Sequence, residues 1–236
     1  AAVTISARAA ATLVLSGLTS AVAGTSQSLT VTARDAQGNT ATGYLGTVHF
    51  TSTDGQAVLP ADYAFVGGDA GVHTFSGVVL KTAGSQSVTG TDNVTGGITG
   101  THAAVTISAG AAATLAFTTA PATTTAGTDF GVVVTARDTH GNTATSFTGT
   151  VDLAITGGTG KAGAHLLGTA SVPAAAGVTT FSGLSIDSAG AGYTLTATAT
   201  GPSAATSGSF DITPGSPSAS QSTLSVSGGT VVSANA

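Results

Sequence analysis

Apolar side chains recur at every second position along most of this chain. In the run Leu29 to Asp35, the residues Leu29, Val31 and Ala33 share one face, and Thr30, Thr32 and Arg34 share the other. Successive side chains of an extended strand point to opposite faces, so this period of two predicts a half-buried strand. The same reading places Phe130, Val132, Val134 and Ala136 inward, with Thr135 and Arg137 outward. It places Val48 and Phe50 inward with His49 outward, and Val151, Leu153 and Ile155 inward with Asp152 outward. Further strands are predicted around Phe75, Val78 and Leu80, and around Phe181, Leu184 and Ile186. Closing strands carry Val105 and Ile107, then Phe210 and Ile212. Helical spacing is nowhere sustained. The alanine runs at 109–113 and 174–176 are short and flanked by glycine or proline, and read as linkers or loops.

The strand pattern repeats. Residues 1–13 (AAVTISARAAATL) return at 103–115 as AAVTISAGAAATL. Residues 23–48 and 126–151 share 16 of 26 positions at an offset of 103. VHTFSG at 72–77 answers VTTFSG at 178–183. A period near one hundred residues is too long for a solenoid coil and matches one small β-sandwich. The expected organisation is a closing strand of a preceding repeat at 1–8, one domain at 9–109, a second at 110–215, and a linker with the opening strand of a further module at 216–236. The fold class is all-β, as tandem immunoglobulin-like β-sandwich domains. Expected core aromatics are Phe50, Tyr63, Phe65 and Phe75 in the first domain. Those of the second are Phe117, Phe130, Phe181 and Tyr193.

Composition narrows the function. The 236 residues include ten Asp, no Glu, five Lys and Arg together, and no Cys, Met or Trp. Without cysteine there is no disulfide, thiolate metal site or cysteine nucleophile. Five basic residues make no patch for a phosphate backbone, so no nucleic-acid partner is expected. Mean hydropathy is +0.39, yet Thr, Ser and Gly interrupt every apolar stretch before a membrane span is reached. With no methionine and no signal-peptide pattern, the chain reads as a processed product or a piece of something longer.

Several segments carry a family resemblance. VTARDAQGNTATGYLGTVHFTSTD, followed by AVLPADYAF and GVHTFSGVVLKTAG, resembles the tandem bacterial Ig-like repeats of large surface and secreted proteins. The second domain matches through VTARDTHGNTATSFTGTV and TTFSG, and departs where KAGAHLLGTASVPAAAG replaces the LPADYAF segment. The last sixteen residues are similar to the start of an invasin/intimin-type module. The resemblance implies an extracellular or cell-surface, multi-domain, stalk-like or adhesive protein. It carries no catalytic site with it.

Candidate chemistry is sparse. The pattern D-x-x-G-N occurs at Asp35, Gly38 and Asn39 and again at Asp138, Gly141 and Asn142. A cation site on the carboxylates is one reading. Turn chemistry is favoured, because Asp accepts backbone N–H groups, Gly supplies positive φ, and carboxylates in two different domains do not form one site. Asp54, Asp62 and Asp69 form a second calcium candidate if their loops converge at one end of the first sandwich, although no dense oxygen-ligand cluster surrounds them. His49, His73, His102, His140 and His165 show no HxH, HxxxH or HExxH spacing and read as solvated surface. No G-x-S-x-G elbow occurs. Glycines 157, 158 and 160 with Lys161 lack phosphate-loop spacing. No catalytic or cofactor-binding residue is assigned.

The expected function is therefore a non-catalytic stalk or fibre segment. Its partners would be neighbouring Ig-like repeats of the same chain or of like chains. Two alternatives remain. One is a filament subunit whose terminal strands pair between chains, since an open sheet edge templates strand addition. The other is an adhesive module holding a surface glycan or protein.

Overall fold

The computed structural model describes residues 8–216. The expected closing strand at 1–8 and the linker and opening strand at 216–236 lie almost wholly outside these described residues. Among the described residues the chain is strand and loop, with a single 3₁₀ turn at Gly67–Asp69. No helix among them is long and apolar enough to cross a membrane.

The first domain runs β1 (Thr12–Ser16), β2 (Ala21–Val22), β3 (Ser26–Arg34), β4 (Thr47–Ser52), β5 (Tyr63–Ala64), β6 (Val72–Val79), β7 (Gly84–Asp92) and β8 (Thr99–Ser108). One sheet has the order β1-β3-β6, and the other has the order β2-β8-β7-β4-β5. The entering strand thus serves both sheets. β1 pairs antiparallel with β3, then β2 pairs parallel with the last strand β8. Gly17 begins the crossing: its φ is +102°, and a Cβ there would sit 2.8 Å from the Ser28 carbonyl oxygen. A strand that changes sheets in this way, and sheets that exchange non-sequential strands, make an immunoglobulin-like sandwich. Alternate residues meet between the sheets, with Leu29, Val31 and Ala33 from one facing Val48, Val88, Val105 and Ile107 from the other in one core.

The second domain repeats the plan with β9 (Thr114–Thr119), β10 (Thr124–Thr125), β11 (Phe130–Arg137), β12 (Thr150–Ile155), β13 (Leu166–Leu167), β14 (Ser171–Pro173), β15 (Val178–Ile186), β16 (Gly190–Tyr193), β17 (Leu195–Ala199), β18 (Ala205–Thr206) and β19 (Phe210–Thr213). One sheet is β13-β15-β11-β9. The opposite layer is in two pieces, β14-β12-β17-β18 and β10-β19-β16. The strand equivalent to β7 is broken at Thr194, whose N–H goes to the Thr159 hydroxyl (3.2 Å) and whose carbonyl accepts from Thr156 N–H (2.8 Å). The Ser207 hydroxyl likewise takes the Leu195 N–H at 2.9 Å. Loop and side-chain bonds replace ladder bonds there.

The core differs from expectation at several positions. Phe50, Phe65, Phe75, Phe181 and Tyr193 are buried. Tyr63, Phe117 and Phe130 are half-buried against the same cores. Thr135, expected outward, is buried. It lies on the central strand β11 between β9 and β15, and its hydroxyl is matched by that of Thr118 at 2.9 Å. Tyr44, on no predicted strand, is buried because its hydroxyl donates to Asp92 Oδ2 at 2.6 Å.

Candidate functional site

The two D-x-x-G-N turns fold alike. Each follows the end of a central strand, β3 or β11. Asp138 Oδ1 accepts the His140 and Asn142 N–H groups, both at 2.9 Å. Its backbone N–H goes to Asn142 O at 2.9 Å, and its carbonyl accepts the Gly141 N–H at 3.1 Å. Arg137 Nη1 closes the turn onto Gly141 O at 2.7 Å. In the first domain Asp35 Oδ1 accepts Gln37 N–H (3.0 Å) and Asn39 N–H (2.8 Å), and Arg34 Nη1 reaches Gly38 O at 2.6 Å.

Each aspartate also holds the chain that enters its domain. Asp138 Oδ2 accepts the Gly110 N–H at 2.8 Å, and Asp35 Oδ2 accepts the Arg8 N–H at 3.2 Å. Asp35 and Asp138 are 3% exposed, and burial alone would push a carboxyl upward. The side-chain bond from Asn142 and the N–H groups of Gly110, His140 and Asn142 outweigh that and hold Asp138 below the ordinary carboxylate value. Asp35 is lowered in the same sense, against burial, by Arg8, Asn39 and Gln37.

Asn142 does more than complete its turn. Its Nδ2 donates to Asp138 Oδ2 (2.9 Å) and to the carbonyl of Lys81 in the first domain (2.8 Å). Its Oδ1 accepts the Ala83 N–H at 2.8 Å. One amide thus reads the carbonyl and N–H of a loop 61 and 59 residues earlier. Beside it, His140 lies over Gly24 so closely that a Cβ on Gly24 would fall 2.4 Å from His140 Nε2.

The loop that Asn142 reads is itself fixed. Asp54, 3% exposed, accepts the Gln56 N–H (2.9 Å), the Thr82 hydroxyl (2.6 Å), the Thr82 N–H (3.0 Å) and the Lys81 N–H. Burial opposes ionisation at Asp54 too, and these bonds again bring the carboxyl below its ordinary value. Gln86 Nε2 adds a bond to the Thr82 carbonyl at 3.1 Å. The result is a polar joint with a preset loop on one module and a preset turn on the next.

The three calcium candidates are placed apart in function. Asp54 is consumed by the loop just described. Asp62 pairs with His49 Nδ1 (2.7 Å) and accepts from Asn93 Nδ2 (2.8 Å). Asp69 faces His73 Nδ1 at 2.9 Å and takes the Val66 N–H at 2.8 Å. Among the described residues no group of three His, Cys, Asp or Glu is arranged to hold a metal ion.

Periodicity missed the surroundings of His73. Its ring stacks on Tyr63 with centroids 4.0 Å apart and meets Phe75 edge-on at 4.7 Å. An aspartate orienting a histidine through Nδ1 makes up two of the three members of a hydrolytic triad. Among the described residues no hydroxyl is bonded to His73 Nε2, and the equivalent position in the second domain is the buried Thr179, whose hydroxyl has no partner. His102, also read as surface, points both ring nitrogens at carbonyl oxygens, of Leu15 (3.1 Å) and Leu18 (3.0 Å). An open groove of about 570 Å³ lies where the chain enters the first domain, lined by Arg8, Tyr44, Leu45, Val94 and Ile98.

No protein-family model matches the chain, and no curated protein matches it. Solved structures resemble it distantly. The Escherichia coli adhesin FdeC aligns at 21% identity over 91% of this chain and 68% of its own, with a TM-score of 0.39. The Yersinia pseudotuberculosis adhesin InvE aligns at 20% identity over 85% of this chain and 58% of its own, with a TM-score of 0.34. A glycosyl hydrolase family 2 member from Bacteroides cellulosilyticus aligns at 15% identity over 82% of this chain, with a TM-score of 0.36, and this chain spans only 23% of its length. Likenesses this weak carry no argument about activity or partner.

Proposed function

We propose that this chain is a spacer: a non-catalytic run of Ig-like modules in a large extracellular or cell-surface protein, holding neighbouring modules in a fixed line. The observation that carries the reading is the Asn142 joint. Modules strung on a loose linker need no matched loop and turn. Here Asp138 pins the linker at Gly110, Asn142 grips the backbone of Lys81 and Ala83, and Asp54 stiffens that loop from within. The tandem repeat and the low content of charged side chains, 6% of 236 residues, suit stacked units that contact chiefly their neighbours.

The joint predicts a measurable shape. Small-angle scattering of the full chain should give one extended particle with a single separation between module centres. Asn142→Ala removes three hydrogen bonds and leaves both cores untouched, so each module should melt as before while the separation broadens. If the unsubstituted chain already scatters as two modules swinging freely, the spacer reading fails.

A further inference from the structure

Both halves of the joint occur twice in this chain, and among the described residues only one of each is engaged. The first domain presents Lys81-Thr82-Ala83-Gly84 after Leu80, and the second presents Asp187-Ser188-Ala189-Gly190 after Ile186. Gly24 N–H bonds Leu80 O at 2.9 Å beside the first loop, and Gly127 N–H bonds Ile186 O at 2.9 Å beside the second. A Cβ on Gly24 would strike His140, whereas one on Gly127 would meet nothing within 4 Å. The same contrast holds for the turns. Asn142 is half-buried under the first domain, while Asn39 is exposed. Asn39 Nδ2 meets only the Asp35 carboxylate, and no bond among the described residues reaches its Oδ1. Nor does any reach the Ala189 N–H or the Asp187 carbonyl.

We propose that the Asp35–Asn39 turn seats the Asp187–Ala189 loop of a second copy of this chain, end to end. Asn39 Nδ2 would donate to Asp187 O, and Asn39 Oδ1 would accept from Ala189 N–H, as Asn142 does with Lys81 and Ala83. The partner follows from what the joint reads. Asn142 contacts backbone atoms, so replacing Lys81 by Asp187 and Thr82 by Ser188 leaves the recognised atoms in place. The Asp187 carboxylate does not obstruct, because His165 occupies it through its N–H (2.9 Å) and Nδ1 (2.9 Å). The two contact surfaces are different patches on opposite ends, so the contact is heterologous and repeats along a line instead of closing on itself. Within one chain the linker supplies a local concentration on the order of millimolar. Between copies the contact is transient, and its detection calls for trapping.

The chain has no cysteine, so introduced thiols report without background. Chains carrying Gln37→Cys, on the exposed tip of the same turn and leaving the Asn39 amide in place, and chains carrying Ala189→Cys are mixed at about 1 mM, matching that local concentration, under mild oxidation. The mixed disulfide dimer should exceed either homodimer about tenfold. Ala36→Cys, also on the exposed tip of that turn, gives a second reporter if Gln37→Cys disturbs it. The unsubstituted chain should scatter with a single separation between module centres. A statistical mixture of dimers, with that single separation present, overturns the proposal and leaves the spacer reading standing, on which the proposal rests. Modules that swing freely in the unsubstituted chain overturn both.

Discussion

Tyr44 and Asp92 show how one repeat differs from the other at a single pair. The Tyr44 hydroxyl donates to Asp92 Oδ2 at 2.6 Å, and Asp92 Oδ1 takes the N–H groups of Val94 (2.9 Å) and Thr95 (2.7 Å). Burial first, and then the adjacent carboxylate, push the Tyr44 phenol well up. Burial works against the Asp92 carboxylate, but its bonds to Tyr44, Thr95 and Val94 keep it below the ordinary value. In the second domain the corresponding residues are Phe147 and Ala199, so the hydroxyl and the carboxylate are absent together. That pairing is physically sensible: losing both partners can be nearly neutral, whereas losing one strands the other in a buried site. Tyr44→Phe should therefore destabilise the first domain by about 1–3 kcal/mol. In urea unfolding of the full chain, the first domain's transition should move to lower denaturant while the second's stays. Equal movement of both transitions would show that the domains unfold as one unit and that the pair is not a local device.

At the scale of the element, the informative contact is the parallel pairing of an entering strand with a leaving one. In the first domain Ala21 faces Ile107 and Val22 faces Ser108, extended by the Ala23 N–H to Ser108 O at 2.8 Å. In the second, Thr124 faces Ile212 and Thr125 faces Thr213, extended by Ala126 N–H to Thr213 O at 2.9 Å. A pull along the line of modules loads these bonds in shear, so they share the force. Ala23→Pro deletes one donor at the first central position of the Val22–Thr25 turn, a position that suits proline, and costs about 1 kcal/mol at equilibrium. Single-molecule stretching should show one of the two rupture events at lower force, with the second domain as internal reference. Unchanged force in both events would place the mechanical resistance elsewhere. Little of this pairing was legible in the sequence. Alternation located the long strands at Leu29–Ala33, Val48–Phe50 and Phe130–Ala136, because each has one apolar face and that is a local property. The two-residue strands β2 and β10 have no period to read, and their partners lie more than 80 residues away. The break between β16 and β17 comes from Thr159 and Ser207, which reach a strand distant from them in sequence. The D-x-x-G-N turns were legible as turns through local bonds from Asp35 and Asp138. Their grip on Arg8, Gly110 and Lys81–Ala83 depends on segments that folding brings beside them.

For the molecule as a whole, aspartate is the sole acidic side chain, and it sets both the loop and the turn that meet at the joint. Asp138 anchors the linker, Asp54 sets the loop, and Asn142 joins the two. Hydrogen bonds hold both carboxyls below the ordinary value of 3.8, in spite of burial. A depressed folded-state value means that the ionised form stabilises the native state. That contribution is complete above the unfolded value and is lost as pH falls through the folded one. The fixed separation of module centres should thus be constant from neutral pH down to about 4, and should broaden only below 3.8. The donors to these carboxylates are N–H and hydroxyl groups of no charge, so added salt should shift the response little. Scattering and thermal melting followed together against pH check both points. A joint that loosened between pH 5 and 7 would not follow carboxylate protonation, and the aspartate account would fail. In the Asn142→Ala chain the separation should already be broad at neutral pH. Acid should then add little to the disorder of the joint while still lowering the melting temperature of the first domain through Asp54.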